Sequence, residues 1–204
     1  MWRRFLEQNR GRFDRSWMKN EDEYTRGMML MNTQVFPVSD KRAIGLAVDL
    51  LSAGEVVALP TETVYGLAAV AAQEDAVKKI FEAKQRPGDN PLIVHIASFH
   101  QLLGLVKEIP DSAHGLINAF WPGPLTLILP VAGSVPKMVT AGLDTVAVRM
   151  PLGSFLHGLI DSVGPIAAPS ANLSGRPSPV TAKAVLDDLE GRIPLIVDGG
   201  HCQV

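Results

Sequence analysis

Short apolar runs alternate with amphipathic segments over residues 39–198, and this alternation constrains the fold more than any other feature of the chain. In the first amphipathic segment, Ser39 is the expected N-cap, Ala47 and Leu51 lie on one helical face, and Gly54 follows as a typical end. The run EVVAL that comes next predicts a short buried strand. Strands that alternate with helices favour an α/β domain with a largely buried sheet.

The same alternation continues along the chain, whereas residues 1–34 lack it. Amphipathic spacing predicts helices at residues 73–84, 97–106, 111–120, 153–163 and 181–191, and apolar runs predict strands at residues 91–96, 125–131, 145–150, 164–168 and 194–198. Residues 1–34 alternate charge with isolated Trp, Phe and Met, which predicts a disordered N-terminal extension. An arm that touches RNA is the alternative for this segment. Residues 35–204 are expected to form one domain.

Composition excludes several classes of protein. The formal net charge of −2 argues against a general nucleic-acid coat, although it leaves room for a local basic pocket. Cys202 is the only cysteine, so disulfides within the chain and cysteine metal clusters are excluded, and we expect an ordinary thiol in a frayed end. No apolar run approaches the roughly 18 residues that span a bilayer, and the charged N-terminus does not resemble a secretory signal. A cytoplasmic protein without a membrane partner is the expectation.

Polar residues collect where the first predicted strand ends. The segment PTETVYG follows EVVAL and places Thr61, Glu62 and Thr63 on a loop that begins with proline. Hydroxyl side chains in such a loop commonly cap a helix or a turn. Alternatively, they line the rim of a ligand site, and the sequence leaves both interpretations open.

The segment KQRPGDNPLIVHI carries a cluster of cationic and amide side chains. Lys84 and Arg86 lie two residues apart at the end of a predicted helix, and Asn90 follows across a turn that Gly88 permits. A solvated turn can have this composition, but the same groups suit several phosphate oxygens at once. His95 lies inside the apolar strand, where a histidine is more often a core residue with satisfied hydrogen bonds than part of a site.

Two later segments also place polar groups at element ends. Arg149 lies at the end of strand TVAVRM, and a buried guanidinium there needs an anionic partner, either an internal carboxylate or a ligand. The loop APSANLSGRPSP places Ser170, Asn172 and Ser178 among glycine and prolines, as an anion cradle or a flexible linker does. WPGPLT is expected to be structural. Neither the P-loop pattern nor the dinucleotide-binding glycine pattern is present, and no nucleophile with a supporting base is recognisable.

Six segments in this order resemble the YrdC/Sua5 family over residues 39–204. They are PTETVYGLAA, KQRPGDNPLIVHI, FWPGPLTLILP, TVAVRMP, PIAAPSANLSGRPSP and IVDGG. The resemblance implies an α/β fold in which a twisted mixed β-sheet, flanked by helices, surrounds a basic concave cavity. It also implies an L-threonylcarbamoyladenylate synthase, a nucleotidyltransferase that makes threonylcarbamoyl-AMP and pyrophosphate from L-threonine, bicarbonate and ATP. The product is used to make N6-threonylcarbamoyladenosine in tRNA.

The matching motif positions imply roles for individual residues. Contacts to ATP are implied for Lys84, Arg86, Asn90, Thr145, Ser170, Asn172 and Ser178. Contacts to threonine or the carbamate are implied for Thr61, Tyr65, His95, Arg149 and Ala168, with a place over the adenine as the other option for Tyr65. Mg²⁺ is expected to neutralise the phosphates without dedicated protein ligands. Because adenylyl transfer depends on positioning and charge stabilisation, no protein nucleophile is expected.

The chain departs from the family after IVDGG. The family continues with a Gly-x-x-Ser-Thr segment, whereas this chain continues with HCQV, so a truncated domain end and no second Sua5-type domain are expected. The family's basic cavity leaves an alternative, a module that binds double-stranded RNA or nucleotides without synthase activity. The related carbamoyl-phosphate domain of hydrogenase-maturation proteins is excluded, because those chains carry cysteine-rich zinc motifs. A threonylcarbamoyl-transferase and tRNA are the expected macromolecular partners.

Overall fold

The computed structural model describes residues 32–202, and within this part eight strands form one mixed sheet. The strands are β1 (Gln34–Pro37), β2 (Val57–Leu59), β3 (Gly66–Val70), β4 (Ile93–His95), β5 (Thr126–Pro130), β6 (Thr145–Arg149), β7 (Ile166–Ala167) and β8 (Leu195–Asp198). Their order in the sheet is β1-β8-β2-β3-β7-β4-β6-β5. β8 pairs in parallel with β1 and β2, and β4 with β6, whereas the other neighbours are antiparallel.

Helices cover both faces of this sheet. In the described part they are α1 (Lys41–Ser52), α2 (Glu74–Lys84), α3 (Phe99–Leu103), α4 (Asp111–Phe120), α5 (Lys137–Thr140), α6 (Ser154–Val163) and α7 (Ala182–Leu189). None of the helices between residues 32 and 202 has the length and apolar character needed to cross a bilayer.

The strand β3 shows how the sheet separates two cores. Leu67 and Ala69 belong to one apolar cluster, which also contains Ile80 of α2, whereas Ala68 belongs to a second cluster with Leu159 of α6. Successive side chains of a strand point to opposite faces, so one strand contributes to both clusters. The expected α/β class, a mixed sheet flanked by helices, is confirmed.

Most predicted helices and strands are present, but two details of the helices were wrong. The N-cap of α1 is Asp40 rather than Ser39, because the Asp40 carboxylate accepts a hydrogen bond from Arg42 N at 2.9 Å. The helix predicted over residues 97–106 covers only Phe99–Leu103, where Ser98 caps the start and Gly104 the end. Its apolar residues beyond Gly104 pack into the core without helical geometry.

Two strands were missed. β3 has the composition GLAAV, and glycine and alanine have low strand propensity, so the polar segment before it concealed a fully buried strand. β1 begins at Gln34, and the buried Thr33 hydroxyl donates to Ile193 O at 2.7 Å, so both residues pack with the sheet. The rest of the predicted extension, residues 1–31, lies outside the described residues.

The register of the central strands brings distant parts of the sequence together. β4 and β6 run in parallel with His95 beside Arg149, so these two residues end neighbouring strands. β7 is antiparallel to β4, and the residues after it therefore lie near the beginning of β4. Ser170 also forms a bridge to Gly66 at the start of β3. The chain segments before β3, before β4 and after β7 consequently meet at one end of the sheet.

Candidate functional site

Lys84 connects two of the predicted segments. It is the last residue of α2, only 1% of it is exposed, and its ammonium group donates to the backbone oxygens of Ser170 and Asn172, to the latter at 2.5 Å. Burial, and secondarily Arg86, lowers the pKa of Lys84 to about 8, so the charged form still predominates at neutral pH. Lys84 thus holds the end of α2 against residues 170–178, hereafter the serine loop. One of its three N–H groups remains for a ligand.

The serine loop is held by its own hydrogen bonds, which does not fit a flexible linker. Ser170 Oγ donates to Asn172 Oδ1 at 2.5 Å, and the buried Asn172 amide donates to Leu173 O and Arg176 O, both at 2.8 Å. The Asn172 side chain is therefore engaged within the loop and positions it, and the contact of Asn172 with ATP stays a prediction. Ser178 is exposed near the end of the loop.

Arg86 follows α2 with much of its hydrogen-bonding capacity unused. Gln85 ends the helix in the left-handed conformation (φ 51°). Arg86 Nη2 lies 3.5 Å from Asn90 O and 3.4 Å from Pro91 O, which are long distances for hydrogen bonds, and its buried Nε has no partner among residues 32–202. Burial lowers the pKa of Arg86, and Asp89 opposes this shift. A guanidinium in this state is suited to an anion.

Asn90 and Thr145 are two further residues with predicted contacts to ATP. Asn90 is exposed directly before β4, and Thr145 is half-buried as the first residue of β6. Because β4 and β6 are parallel, both residues lie at the same end of these strands. The structure thus brings the two residues to one side of the sheet, and their contact with ATP remains a prediction.

Arg149 has an internal carboxylate as its partner. Its Nη2 lies 2.6 Å from Glu62 Oε1, its Nη1 donates to Thr63 Oγ1 at 3.1 Å, and its Nε donates to Gly123 O at 3.3 Å. A Cβ atom at Gly123 would lie 2.4 Å from Phe120 O, so this position requires glycine to present its carbonyl. WPGPLT has the expected structural role, since it helps to orient Arg149. The partner left open by the sequence is Glu62.

In the turn over residues 61–64, the Thr61 hydroxyl stabilises the turn and the Thr63 hydroxyl contacts Arg149. Thr61 Oγ1 donates to Val64 O at 2.7 Å and accepts from the backbone N–H groups of Thr63 and Val64 at 3.1 and 3.2 Å. These bonds use the whole capacity of the Thr61 hydroxyl. The Thr61 hydroxyl is therefore committed to the turn, whereas the Thr63 hydroxyl reaches Arg149. The ligand contact of Thr61 stays a prediction. Sequence reasoning noted Glu62 and Thr63 but had no means to direct them to Arg149.

His95 is a buried neutral imidazole beside this arginine. Burial first, and the charge of Arg149 second, lower the pKa of His95 to about 4, while a backbone hydrogen bond at Ile93 opposes the shift. Its Nδ1 has no hydrogen-bond partner in the part of the chain that the structure describes. His95 is thus not the fully satisfied core histidine that was the more common expectation. Ala168 is also buried. Its backbone N–H donates to Ile93 O at 3.0 Å, so Ala168 lies beside the strand that carries His95.

Tyr65 has a structural position. It is fully buried, its hydroxyl donates to Gly200 O at 2.7 Å, and it accepts from Gly199 N at 3.0 Å. Burial raises the pKa of Tyr65 to about 12. Stacking of adenine on this ring, one of the two implied roles, does not fit because neither face is exposed. Tyr65 instead fixes the segment after β8.

Cys202 was expected in a frayed end, and that expectation was wrong. Its side chain is buried, and its backbone N–H donates to Val180 O at 2.9 Å. Burial raises the pKa of the thiol, and a hydrogen bond at the Thr61 backbone opposes the shift. Cys202 therefore packs beside the turn over residues 61–64 as an inert thiol.

The contacts above form two adjoining groups. One contains Lys84, Arg86 and the serine loop; the other contains Arg149, His95, Glu62 and Thr63. They are joined through the Tyr65 backbone, which accepts from Ala171 N at 2.7 Å and donates to Pro179 O at 2.9 Å. A separate apolar cavity of about 380 Å³ lies between the end of β3 and the residues that follow β5, and none of the predicted site residues lines it.

Comparisons with known proteins agree with this arrangement. The family profile Sua5/YciO/YrdC, described as telomere recombination, matches residues 49–204. The chain is 57% identical over 162 residues to the threonylcarbamoyl-AMP synthase of Pyrococcus abyssi, covering 79% of this chain and 48% of the relative. It is 59% identical over 159 residues to the threonylcarbamoyl-AMP synthase of Bacillus subtilis, covering 77% of this chain and 46% of the relative.

A solved structure extends the comparison to three dimensions. The crystal structure of P. abyssi Sua5 complexed with L-threonine matches with a TM-score of 0.80 at 54% identity, covering 83% of this chain and 51% of that one. The chain spans about half the length of these relatives. On the match to the family profile and on these identities, the chain belongs to the Sua5/YciO/YrdC family.

Proposed function

We propose that this chain is the adenylate-forming domain of an L-threonylcarbamoyladenylate synthase. The observation that carries the proposal is the buried ammonium of Lys84, which holds the cationic segment 84–90 against the serine loop. The relatives from P. abyssi and B. subtilis are threonylcarbamoyl-AMP synthases, which supports a synthase rather than the double-stranded-RNA module considered from the sequence. The reaction belongs to the nucleotidyltransferases.

The chemistry is that implied by the resemblance to the Sua5/YciO/YrdC family, and the two groups of residues are suited to it. L-threonine and bicarbonate condense to an N-carboxylate with loss of water. A carbamate oxygen then forms a bond to the α-phosphorus of ATP, and the bond to the bridging oxygen breaks to release pyrophosphate. Such a transfer is accelerated mainly by alignment of the reactants and by fixed donors near the developing charge, so it requires no protein nucleophile.

We assign binding of the ATP polyphosphate to the first group, which contains Lys84, Arg86 and the serine loop. The ammonium of Lys84 and the unpaired guanidinium N–H of Arg86 supply positive charge, and Asn90, Thr145, Ser170 and Ser178 supply neutral hydrogen bonds. Guanidinium groups bind two phosphate oxygens at once, which suits Arg86 to the outer phosphates. Asn172 keeps the serine loop in shape for these contacts.

We assign binding of the amino acid to the second group, which contains Arg149, His95, Glu62 and Thr63. Arg149 is the carboxylate receptor in this proposal, since Thr63 and Gly123 hold its Nη1 and Nε in place while Nη2 donates no hydrogen bond within residues 32–202. His95 remains neutral and offers its free Nδ1 to the ligand. The crystal structure of P. abyssi Sua5 in complex with L-threonine supports threonine as the amino acid.

Mg²⁺ fits as a companion of ATP. Mg²⁺ usually binds through substrate phosphates and keeps several waters, and it lowers the negative charge that the cations must balance. Among residues 32–202 there is no group of three or more His, Cys, Asp or Glu side chains arranged to hold a metal ion. The product adenylate would pass to a threonylcarbamoyl-transferase that modifies adenosine 37 of tRNA, and the cytoplasm is the compartment we propose.

Pyrophosphate release from ATP tests the proposal directly. We expect release that requires both L-threonine and bicarbonate, and mass spectrometry of the mixture should detect threonylcarbamoyl-AMP. Omitting either substrate is the internal control. Absence of release under all conditions, or release that ignores threonine, would contradict the proposal; tight binding of duplex RNA by an otherwise inactive chain would favour the RNA-binding module.

A further inference from the structure

We propose that Glu62 receives the α-ammonium group of the amino acid while Arg149 receives its carboxylate. This inference rests on the proposed function, because it assigns a recognition role within the same site. Neither the sequence nor the resemblance assigned Glu62 to a ligand. The role follows from how the two side chains are buried and from which of their atoms lack partners.

The Glu62–Arg149 pair is buried without being satisfied. The side chain of Glu62 is 15% exposed and that of Arg149 is 9% exposed, with 2.6 Å between Oε1 and Nη2. Neither oxygen of Glu62 accepts a hydrogen bond from the described residues, and Nη2 of Arg149 donates none to them. The charges touch, but the N–H groups do not point along the contact. Buried charged groups without hydrogen bonds are expensive, so such a pair is suited to further partners.

The other contacts of the pair involve different atoms and hold both residues in place. Arg149 uses Nη1 for Thr63 and Nε for Gly123, so Nη2 is the nitrogen left beside Glu62. The backbone at Glu62 is held by the hydrogen bonds of Thr61 around the turn. A fixed donor edge and a fixed acceptor thus lie side by side. An α-amino acid presents the complementary pair, a carboxylate and an ammonium on one carbon.

Another ion pair, between the partly exposed Lys79 and the buried Glu55, shows the contrast. Lys79 Nζ donates to Glu55 Oε1 at 2.6 Å and to Gly54 O at 2.8 Å, and this pair links α2 to the residues before β2. Lys79 and Glu55 therefore satisfy each other through aligned hydrogen bonds. A purely structural role for Glu62 would be expected to look like this. The Glu55→Gln variant is accordingly a matched control, since it neutralises a buried carboxylate outside the site.

Calorimetric titration of the protein with ligand, in the absence of ATP, tests the inference. The two probes are L-threonine and 2,3-dihydroxybutanoate of the same configuration, in which a hydroxyl replaces the ammonium group. We expect the parent to bind the amine-free analogue at least about tenfold more weakly, the effect of one lost hydrogen bond to a charged group. Glu62→Gln should weaken threonine binding by about 10- to 100-fold, leave the analogue within about threefold of the parent, and so abolish the discrimination.

Controls separate recognition from folding and from the proposed function. Glu55→Gln should keep both affinities, and ATP binding should be the same in all variants. Equal binding of the two probes by the parent overturns the inference, and this comparison needs no folded variant. Unchanged or tighter threonine binding by Glu62→Gln overturns it as well, because Glu62 would then be only a counter-ion that competes with the carboxylate. A parent that binds no threonine overturns the proposed function and the inference together.

Discussion

Replacing Lys84 with alanine tests the central contact of the site. The substitution removes an ammonium group that donates to Ser170 O and Asn172 O, and these carbonyls lose their charged partner. It also releases the serine loop from the end of α2. We therefore expect a change in catalysis that is larger than the change in stability.

The size of the stability change can be worked from the structure. Hydrogen bonds from a charged donor contribute about 1.5–3 kcal/mol each. Against this, the fall of the Lys84 pKa from 10.5 to about 8 corresponds to a penalty of about 3 kcal/mol on the buried charge. Because the two effects largely offset each other, Lys84→Ala should lower the free energy of unfolding by only about 1–3 kcal/mol, mostly through the unpaired carbonyls.

The catalytic loss should be larger. Removal of one positioned cation from a phosphate site costs about 2–4 kcal/mol of transition-state stabilisation, which is a loss of rate of roughly 30- to 1000-fold. Pyrophosphate release measures the rate, and urea unfolding measures the stability. Lys79→Ala is the matched control, since Lys79 lies on the same helix and also donates two hydrogen bonds, to Gly54 and Glu55. Activity of Lys84→Ala within threefold of the parent, or an equal loss in Lys79→Ala, would refute the reasoning.

Three further predictions concern other residues. Arg149→Lys keeps the charge but loses the planar fork, so the KM for L-threonine should rise at least about tenfold with the KM for ATP unchanged; a rise in both would indicate a general disruption. The His95 pKa of about 4 lies below its ordinary value of 6.5, so the unfolded state binds the proton first as the pH falls. Urea unfolding should therefore show that the free energy of unfolding falls by up to about 3 kcal/mol between pH 6.5 and pH 4. This fall should be absent in His95→Gln, and identical pH profiles of the two proteins would exclude His95 as its cause. Tyr65→Phe should lower the free energy of unfolding by about 1–2 kcal/mol, since it removes the bonds to Gly199 and Gly200; an unchanged urea midpoint would count against that anchor.

The parts of the fold that could be predicted are those with a strong local pattern. α2 was predicted from residue 73 and begins at Glu74, because its apolar residues recur at helical spacing. β6 was predicted at its correct start, Thr145, from a run of β-branched residues. β3 was missed because its glycine and alanines have no strand pattern of their own. β3 forms nevertheless because it pairs with strands on both sides and all five of its residues are buried.

The site was predictable as a set of residues but not as a set of contacts. The position of Arg149 at a strand end raised the need for a buried anion, yet Glu62 is 87 positions away in the chain and reaches it only through the register of the sheet. The Thr61 and Thr63 hydroxyls are likewise equivalent in sequence. Only the backbone geometry of the turn directs one to its own carbonyl and the other to Arg149.

Arg149 and His95 are both basic residues of the amino-acid half, but they differ in charge, and this difference divides their roles. The parallel register of β4 and β6 places His95 beside Arg149 at neighbouring strand ends. A guanidinium does not give up its proton, whereas an imidazole loses its proton readily when buried next to a positive charge. His95 is therefore neutral and Arg149 remains the charged member, with Glu62 against its free edge. A cation and a carboxylate in contact are complementary to a zwitterion rather than to a simple anion. Two cations side by side would instead have favoured a simple anion.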